Sequence, residues 1–270
     1  QNLKQWSKDY FQLSARIEQE DALADQLFIN YGDKRRLKLN GNPVSLGSEF
    51  IRRINAVSFT PEDIELVKGA AGGRRQFIDI LLSQLSPAYL AALQNYRKAL
   101  KSRNSLLRSQ QQQTQDPLLI RTYDRLLIDY GTRVTEMRLE LLEKLEDKVR
   151  KFCTSMFPDG KKLKVVYQSA IFRKKSDAGR IAECFQQKLD DNFYKDMERG
   201  TTNCGPHRDD LFILLNGKSL SAYGSEGQCR LASLVIKMAA AEVLIENRDT
   251  ENVILLIDDV LGELDEPRRQ

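Results

Sequence analysis

The segment Val253–Ile257 is a continuous apolar run that ends in two adjacent carboxylates, Asp258 and Asp259. Such a run is typical of a parallel strand that is covered on both faces. Ligands bind beyond the carboxyl ends of such strands, where P-loop ATPases hold a nucleotide-bound Mg²⁺. We therefore predict an α/β fold in which Asp258 binds Mg²⁺ and Asp259 orients the attacking water. The pair is equally compatible with an acidic strand exit that has no catalytic role.

A second motif, Ser225-Glu226-Gly227-Gln228, precedes the apolar run. Ser225 and Gln228 have the spacing of a capping box at a helix start, and Gly227 lets an anion approach the backbone amides. The helix dipole and the free N–H groups then favour a phosphate. An ordinary capped helix has the same pattern, so the position of the motif before the Asp258 strand is what favours the phosphate site.

Composition narrows the classes of function. The chain has 270 residues, 41% of them hydrophobic, which suffices for one large domain with an insertion or for two domains. One histidine and four cysteines without a C-x-x-C pair disfavour a Ser-His-Asp site, a multi-histidine metal site and a zinc knuckle. The net charge of +4 permits local basic patches. No stretch reaches the roughly 18 apolar residues that cross a bilayer, so we expect a soluble, cytoplasmic protein with no membrane partner.

Residues 1–85 are predicted to be β-rich and then helical. Alternation from Tyr10 to Ile17 predicts a half-buried strand, and hairpins follow it. Thr60 before a proline predicts the start of a short helix. Gly72-Gly73 predicts a break in the chain before a second helix.

Residues 86–157 show a helical period. Apolar residues recur every three or four positions from Tyr89 and again from Tyr123 to Phe152, and the glutamine run Gln110–Gln113 separates the two stripes. We predict two long antiparallel helices that form a helical arm.

Residues 158–270 return to a mixed pattern. Strands are predicted at Leu163–Tyr167 and Leu211–Leu215, and Asn216-Gly217 predicts a hairpin turn after the second one. A helix is predicted from about Glu226 to Glu246, immediately before the apolar run.

The order of these motifs, continued by Gly262-Glu263-Leu264-Asp265, resembles that of the ABC-type ATPases of chromosome maintenance and recombination. Within them, the chain most resembles the RecF family of bacterial recombination mediators. Other matching segments are Phe59–Asp63, Arg74-Arg75 with Phe77 and Asp79, Tyr96, Arg103-Asn104 and Gly205–Asp210. The resemblance implies an ABC-type ATPase head that is split in sequence by the helical arm.

The resemblance also implies roles for single residues. Ser225 and the amide of Gly227 correspond to the signature segment, which contacts the γ-phosphate of ATP bound to the opposite subunit. Asp258 corresponds to the Mg²⁺ carboxylate, Asp259 to the catalytic carboxylate and Asp265 to a residue at the dimer interface. Family members close head to tail around two ATP molecules. An aspartate at the position of the usual catalytic glutamate fits slow hydrolysis.

The chain departs from the family in one motif, because the phosphate-binding G-x-x-x-x-G-K-[ST] loop is absent. Gly217-Lys218-Ser219 looks like its last part, but Phe212 occupies the first glycine position and no helix follows the serine at once. We therefore predict a hairpin there. We expect the true loop before Gln1 and further strands beyond Gln270, so this chain should bind ATP weakly by itself. Whether it is an active ATPase alone stays open.

Two basic clusters are candidates for DNA binding. Lysine and arginine along a surface neutralise phosphates without reading sequence, although a solvated helix face has the same composition. The resemblance makes duplex or gap-junction DNA the better interpretation. The candidate residues are Arg97, Lys98, Lys101, Arg103, Lys161, Lys162, Arg173, Lys174 and Lys175.

The family resemblance implies a mediator that closes as an ATP-dependent homodimer on DNA at gaps. It would help the partner proteins RecO and RecR to load recombinase, and slow hydrolysis would release it. The alternative is a non-enzymatic structural or DNA-clamping module of the chromosome-maintenance type. Helices of roughly 25 to 40 residues, about 40 to 60 Å long, are far shorter than the coiled coils of that class.

Three further residues have open assignments. His207 is either a core histidine or a residue near the nucleotide or the dimer interface. For Arg74 and Arg75 three roles stay open: contact with DNA, a place at an interface, or salt bridges at a helix start.

Overall fold

A computed structural model describes residues 9–19, 22–44, 50–51, 53, 55–110, 117–157, 160–173, 179–247 and 253–258. The strands are β1 Phe11–Gln19, β2 Ala22–Tyr31, β3 Arg35–Leu39, β4 Asn42–Val44, β5 Asn55–Phe59, β6 Leu163–Gln168, β7 Asp210–Leu215, β8 Lys218–Ser219 and β9 Val253–Ile257. The helices are α1 Glu65–Lys68, α2 Ala71–Leu85, α3 Pro87–Gln110, α4 Pro117–Met156, α5 Ile181–Arg199, α6 Leu220–Tyr223 and α7 Glu226–Glu246. Short 3₁₀ turns lie at Pro61–Ile64 and Pro206–Arg208.

Strands β1 to β4 form an antiparallel sheet in chain order, which confirms the strand predicted from Tyr10. Leu27 and Leu37 are buried on its inner face. The β3–β4 turn has positive φ at Asn40 (52°) and Gly41 (80°), as a two-residue hairpin requires.

The second region combines a parallel strand pair with helices α1 and α2. The helix start at Thr60 is confirmed, and its N–H donates to Asp63 Oδ2 at 2.9 Å. The predicted break at Gly72-Gly73 is wrong, because both glycines lie inside the first turn of α2. Glycine is costly mainly in a helix interior, and Gly73 faces open space at the helix start.

Strand β9 pairs in parallel with β5, as its apolar run predicts. Among the described residues, Ile254 to Ile257 are 46–60% exposed, so the cover expected on both faces stays a prediction. In the described part of the chain β9 pairs only with β5, and no described element covers enough of its surface to bury these side chains.

Helices α3 and α4 are antiparallel, as predicted. Tyr89 near the start of α3 meets Arg138 far along α4, whereas Arg103 meets Asp124 near the α4 start. The bases of both helices lie in the same hydrophobic core as α2, α7 and the β6–β7 sheet. The division into residues 1–85, 86–157 and 158–270 stays a prediction.

Helix α5 has no counterpart in the sequence predictions. It packs against both long helices and buries Ile181, Phe185 and Leu189, a spacing of four that should have revealed it. Gly131 of α4 lies at this junction, where a Cβ atom would be 2.6 Å from the Phe185 ring. A second sheet, ordered β6-β7-β8, is antiparallel.

Candidate functional site

The start of α7 has the predicted capping box. Ser225 Oγ accepts the backbone N–H of Gln228 at 3.3 Å, and Gln228 Oε1 accepts the N–H of Ser225 at 3.1 Å. The preceding turn is tight at Gly224, where a Cβ atom would lie 2.6 Å from the Leu220 carbonyl oxygen. Only glycine fits there, so the helix start is held close to α6.

This helix start is open to an anion. Ser225, Glu226 and Gly227 are exposed, and no heavy atom lies within 4 Å of a Cβ position at Gly227. The Arg230 guanidinium pairs with the Glu226 carboxylate at 2.7 Å and offsets its negative charge. The Ser225 hydroxyl accepts the Gln228 amide, so its own O–H can donate to a phosphate oxygen.

Asp258 lies at the carboxyl edge of the parallel pair. Its N–H donates to the Phe59 carbonyl oxygen at 2.9 Å, which extends the ladder between β5 and β9 by one bond. Its side chain is exposed. One carboxylate at a strand end fits Mg²⁺ held jointly by protein, water and nucleotide phosphates. The described residues contain no cluster of three His, Cys, Asp or Glu that would hold a metal by itself.

Two of the predicted acidic residues, Asp259 and Asp265, lie outside the described residues. Nothing in the structure places them relative to Asp258. Their predicted roles therefore stay predictions.

Ser225 lies at the start of α7, whereas the strand edge that carries Asp258 lies beside a later turn of the same helix. The edge that carries Asp258 contacts the helix at Lys237, whose Nζ donates to the Ser58 carbonyl oxygen at 2.6 Å. Lys237 is twelve residues beyond Ser225, or about 18 Å along the helix axis. From this contact we infer that the α7 start and the Asp258 edge lie apart within one copy.

The DNA-binding candidates differ in exposure. Arg97, Lys98 and Lys101 are exposed on α3, and Lys162 and Arg173 are exposed near β6. Lys161 is half-buried. Lys174 and Lys175 lie outside the described residues.

The prediction for Arg103 is wrong, because this side chain is 0% exposed and cannot reach DNA. Its Nε donates to Asp124 at 2.6 Å, and its Nη1 donates to Asp196 and to the Thr202 hydroxyl, each at 2.8 Å. Asn104 supports the same centre, since its Oδ1 accepts the N–H of Thr202 at 2.8 Å. Arg103-Asn104 is therefore a structural motif that joins α3, α4 and α5.

Comparisons with known proteins agree with this arrangement. No protein-family model matches the chain. The DNA replication and repair protein RecF of Natranaerobius thermophilus is 34% identical over 277 residues, which cover 99% of this chain and 72% of the relative. RecF of a Streptococcus pneumoniae strain is 37% identical over 269 residues, with the same coverage. This chain belongs to the RecF family.

A solved structure of the recombination mediator RecF with ATP, in the RecFOR pathway, superposes with a TM-score of 0.88 and 31% identity. The match covers 99% of this chain and 72% of the solved chain. The predicted fold class is confirmed: the chain has the α/β, ABC-type ATPase fold of RecF, with long helices inserted. The described residues include no helix long and apolar enough to span a bilayer.

The structure of this RecF-family chain explains the loop Gly205–Asp210. Arg74 forms a bidentate pair with Asp210 at 2.7 and 2.9 Å, so it is a structural salt bridge. Arg75 Nη1 donates to the Asp209 carbonyl oxygen at 2.7 Å. His207 Nε2–H donates to the Thr202 carbonyl oxygen at 3.0 Å, so its Nδ1 must accept the Tyr96 hydroxyl at 2.6 Å.

His207 is therefore a neutral core histidine. Its pKa is lowered to about 4, mainly by burial and in part by the neighbouring Arg208 and Arg75, while the hydrogen bond to Thr202 acts in the opposite direction. Both ring nitrogens are occupied, which leaves neither to contact a nucleotide.

Sequence reasoning missed the buried polar centre beside this loop. Arg138 Nη2 donates to Asp79 at 2.7 Å and Nη1 to the Pro206 carbonyl oxygen at 2.8 Å. Burial raises the pKa of Asp209, which accepts the Ala170 N–H at 2.7 Å and the Tyr167 hydroxyl. The sequence signal for this centre is a charged residue, Arg138, within the apolar stripe of α4.

Proposed function

We propose that this RecF-family chain is the head of a recombination mediator in DNA replication and repair, which closes as an ATP-dependent homodimer on DNA. The separation of Ser225 from Asp258 supports this proposal most strongly. A phosphate chain bound at Asp258 is out of reach of the same copy's Ser225. A second copy, turned head to tail, would supply its own Ser225 and complete each site.

Each composite site combines an Asp258 edge with the α7 start of the other copy. Bound Mg²⁺ would neutralise charge on the phosphate oxygens. Asp258 would hold the ion, and Asp259 would accept a hydrogen bond from water and orient it. The Ser225 O–H and the Gly227 amide would donate to the γ-phosphate, while Gln228 keeps the serine in place and Asp265 lies at the dimer interface.

The DNA-facing residues of the proposal are the accessible members of the basic clusters. Arg97, Lys98 and Lys101 would contact phosphates from α3, and Lys162 and Arg173 would do so from the β6 side, while Lys174 and Lys175 stay candidates outside the described residues. Such contacts carry no base readout, so we propose sequence-independent binding of duplex or gap-junction DNA. RecO and RecR are the proposed partners in loading recombinase, in the cytoplasm.

Mixed dimers of two inactive variants test the composite site. In the complete protein, Ser225→Arg and Asp258→Asn should each abolish ATP turnover. In a mixed dimer one site carries both lesions and the other carries none, so mixing should restore up to about half of the activity per mixed dimer. Ser221→Arg, a nearby exposed serine on α6, is the matched control and should retain activity.

The outcome separates two arrangements. If both sites were completed within one copy, every mixed dimer would have two damaged sites, and mixing would restore nothing. Sedimentation with ATP in the same samples shows whether dimers form. A lack of recovery in samples that do contain mixed dimers would overturn the proposal.

The alternative is a non-enzymatic structural or DNA-clamping module of the chromosome-maintenance type. Helices α3 and α4 have 24 and 40 residues, about 36 and 60 Å, and do not form the long coiled coil of that class. ATP turnover by the complete protein that is lost in Asp259→Asn would exclude this alternative.

A further inference from the structure

A cavity of about 410 Å³ lies between the start of α2, the middle of α3 and the Pro206–Arg208 turn. We name it the arginine pocket, since three arginines from three helices line it. Its lining residues include Gly72, Arg75, Asp79, Arg97, Arg138 and His207.

The arginine pocket is electropositive. Asp79 is its one carboxylate, and it is saturated by the Tyr89 hydroxyl at 2.6 Å, Arg138 at 2.7 Å and Arg97 at 2.8 Å. His207 is neutral, because its two ring nitrogens bond to Tyr96 and Thr202. Arg138 also pairs with the buried Asp209 at 3.4 Å, so three guanidinium groups against two carboxylates leave a charge of 3 − 2 = +1, which Arg75 and Arg97 present to the pocket.

Two of the arginines retain donors that point to no described partner. A guanidinium has five N–H donors. Among the described residues, Arg75 bonds through Nη1 to the Asp209 carbonyl oxygen, and Arg97 bonds through Nη2 to Asp79. The Arg97 side chain is 63% exposed at the mouth of the pocket. Ligand oxygens in the pocket could therefore accept from both groups without breaking either bond.

The first turn of α2 adds to this set of donors. Ala70 is the N-cap residue and has no side-chain oxygen to cap the helix, and no acidic residue lies in the first turn. Gly72 and Gly73 are exposed. Arg75 Nη2 lies 3.9 Å from the Cβ position of Gly72, so the guanidinium sits over the open turn.

We propose that the arginine pocket binds a phosphate of the DNA backbone, as a fixed subsite at one end of a basic face of α3. This inference rests on the DNA binding proposed above. Arg97, Lys101 and Arg108 are exposed and lie within an arc of about 40° on α3, a helix without acidic residues. A line of cations leading away from the pocket fits a continuing chain of phosphates better than the isolated carboxylates of a protein partner.

Salt-dependent DNA binding tests the subsite. Affinity of the full chain for a short duplex is measured by fluorescence anisotropy over a series of NaCl concentrations. Arg75→Gln and Arg97→Gln should each reduce the slope of log affinity against log salt by about 0.9, since each removes about one phosphate contact. Arg150→Gln, an exposed α4 arginine paired with Asp147 outside the pocket, should leave the slope unchanged.

A second measurement separates this inference from DNA binding as a whole. Inorganic phosphate is titrated into ¹⁵N-arginine-labelled protein, and the Nε–H signals of Arg75 and Arg97 should shift while that of Arg150 stays constant. If phosphate shifts these signals but no duplex binds, the pocket is confirmed and the DNA proposal fails. If Lys162→Gln weakens DNA binding but the two pocket variants do not, the pocket inference is overturned.

One outcome would replace the proposed ligand. If the pocket variants lose binding of an acidic protein partner while phosphate and DNA binding remain intact, the pocket binds carboxylates and the inference is wrong. Near-ultraviolet circular dichroism of each variant checks that the fold is retained.

Discussion

The two faces of α3 present arginine in opposite environments. Arg97 is 63% exposed and has one ion pair, whereas Arg103, six residues later, is wholly buried between Asp124 and Asp196. Residues six positions apart on a helix point about 120° away from each other, so one faces solvent and the other faces α4 and α5. Positive charge along a helix therefore serves either a ligand or the core, and the packing of neighbours decides which.

The most destabilising substitution that we predict replaces the buried arginine, Arg103. Arg103→Leu leaves the buried Asp196 without its cation and Asp124 with only Arg121 at 3.5 Å, so the free energy of unfolding should fall by about 3–5 kcal/mol. Urea denaturation followed by circular dichroism measures it. A loss below about 1 kcal/mol would show that Arg103 is accessible and would return it to the DNA-binding candidates.

A second prediction concerns the neutral histidine of the core. The folded-state pKa of His207 is about 4, below its ordinary value of 6.5, so the unfolded chain takes up this proton first as the pH falls. The resulting loss is absent above pH 6.5, grows between pH 6.5 and 4, and reaches about 3 kcal/mol. His207→Asn keeps an acceptor for Tyr96 and does not titrate.

The measurement is the stability of wild type minus that of His207→Asn at several pH values, which cancels the titration of other groups that the two proteins share. The difference should turn against wild type as the pH falls from 6.5 to 4. A constant difference would mean that His207 titrates normally and is not a buried neutral residue.

A third, smaller effect is expected where the loop meets α3. Gly205 has φ 123°, and a Cβ atom there would lie 2.4 Å from the Tyr96 hydroxyl oxygen. Gly205→Ala should cost about 2 kcal/mol through strain and the displaced tyrosine. Gly160→Ala, at φ 65° with no atom within 4 Å, isolates backbone strain and should shift the melting temperature less.

The smallest change in stability is expected at the exposed arginine, Arg97. Arg97→Gln should change the free energy of unfolding by less than about 1 kcal/mol, because an exposed ion pair contributes little and Asp79 keeps Tyr89 and Arg138. Its DNA affinity should nevertheless fall. A destabilisation as large as that of Arg103→Leu would show that the two arginines have the same structural role.

Sequence patterns predict the structure correctly where a few neighbouring residues determine it. The capping box of Ser225 and Gln228 and the hairpin at Asn216-Gly217, with φ of 50° and 79°, are both present. The hairpin also confirms that Gly217-Lys218-Ser219 is a turn and not a phosphate loop. The wrong prediction for Arg103 depends on residues that lie near it in space and far from it in the chain.

The sequence alone specifies the motif that starts α7, the carboxylate after β9 and, apart from α5, the order of the main helices and strands. These features follow from the helical and strand periods and from hydrogen bonds between residues a few positions apart. Only the tertiary structure decided that Arg103 and His207 belong to the core and that Arg75 and Arg97 share a pocket. The partners of Arg103 are 21, 93 and 99 positions away in the chain, so its burial arises from long-range packing that no local pattern encodes.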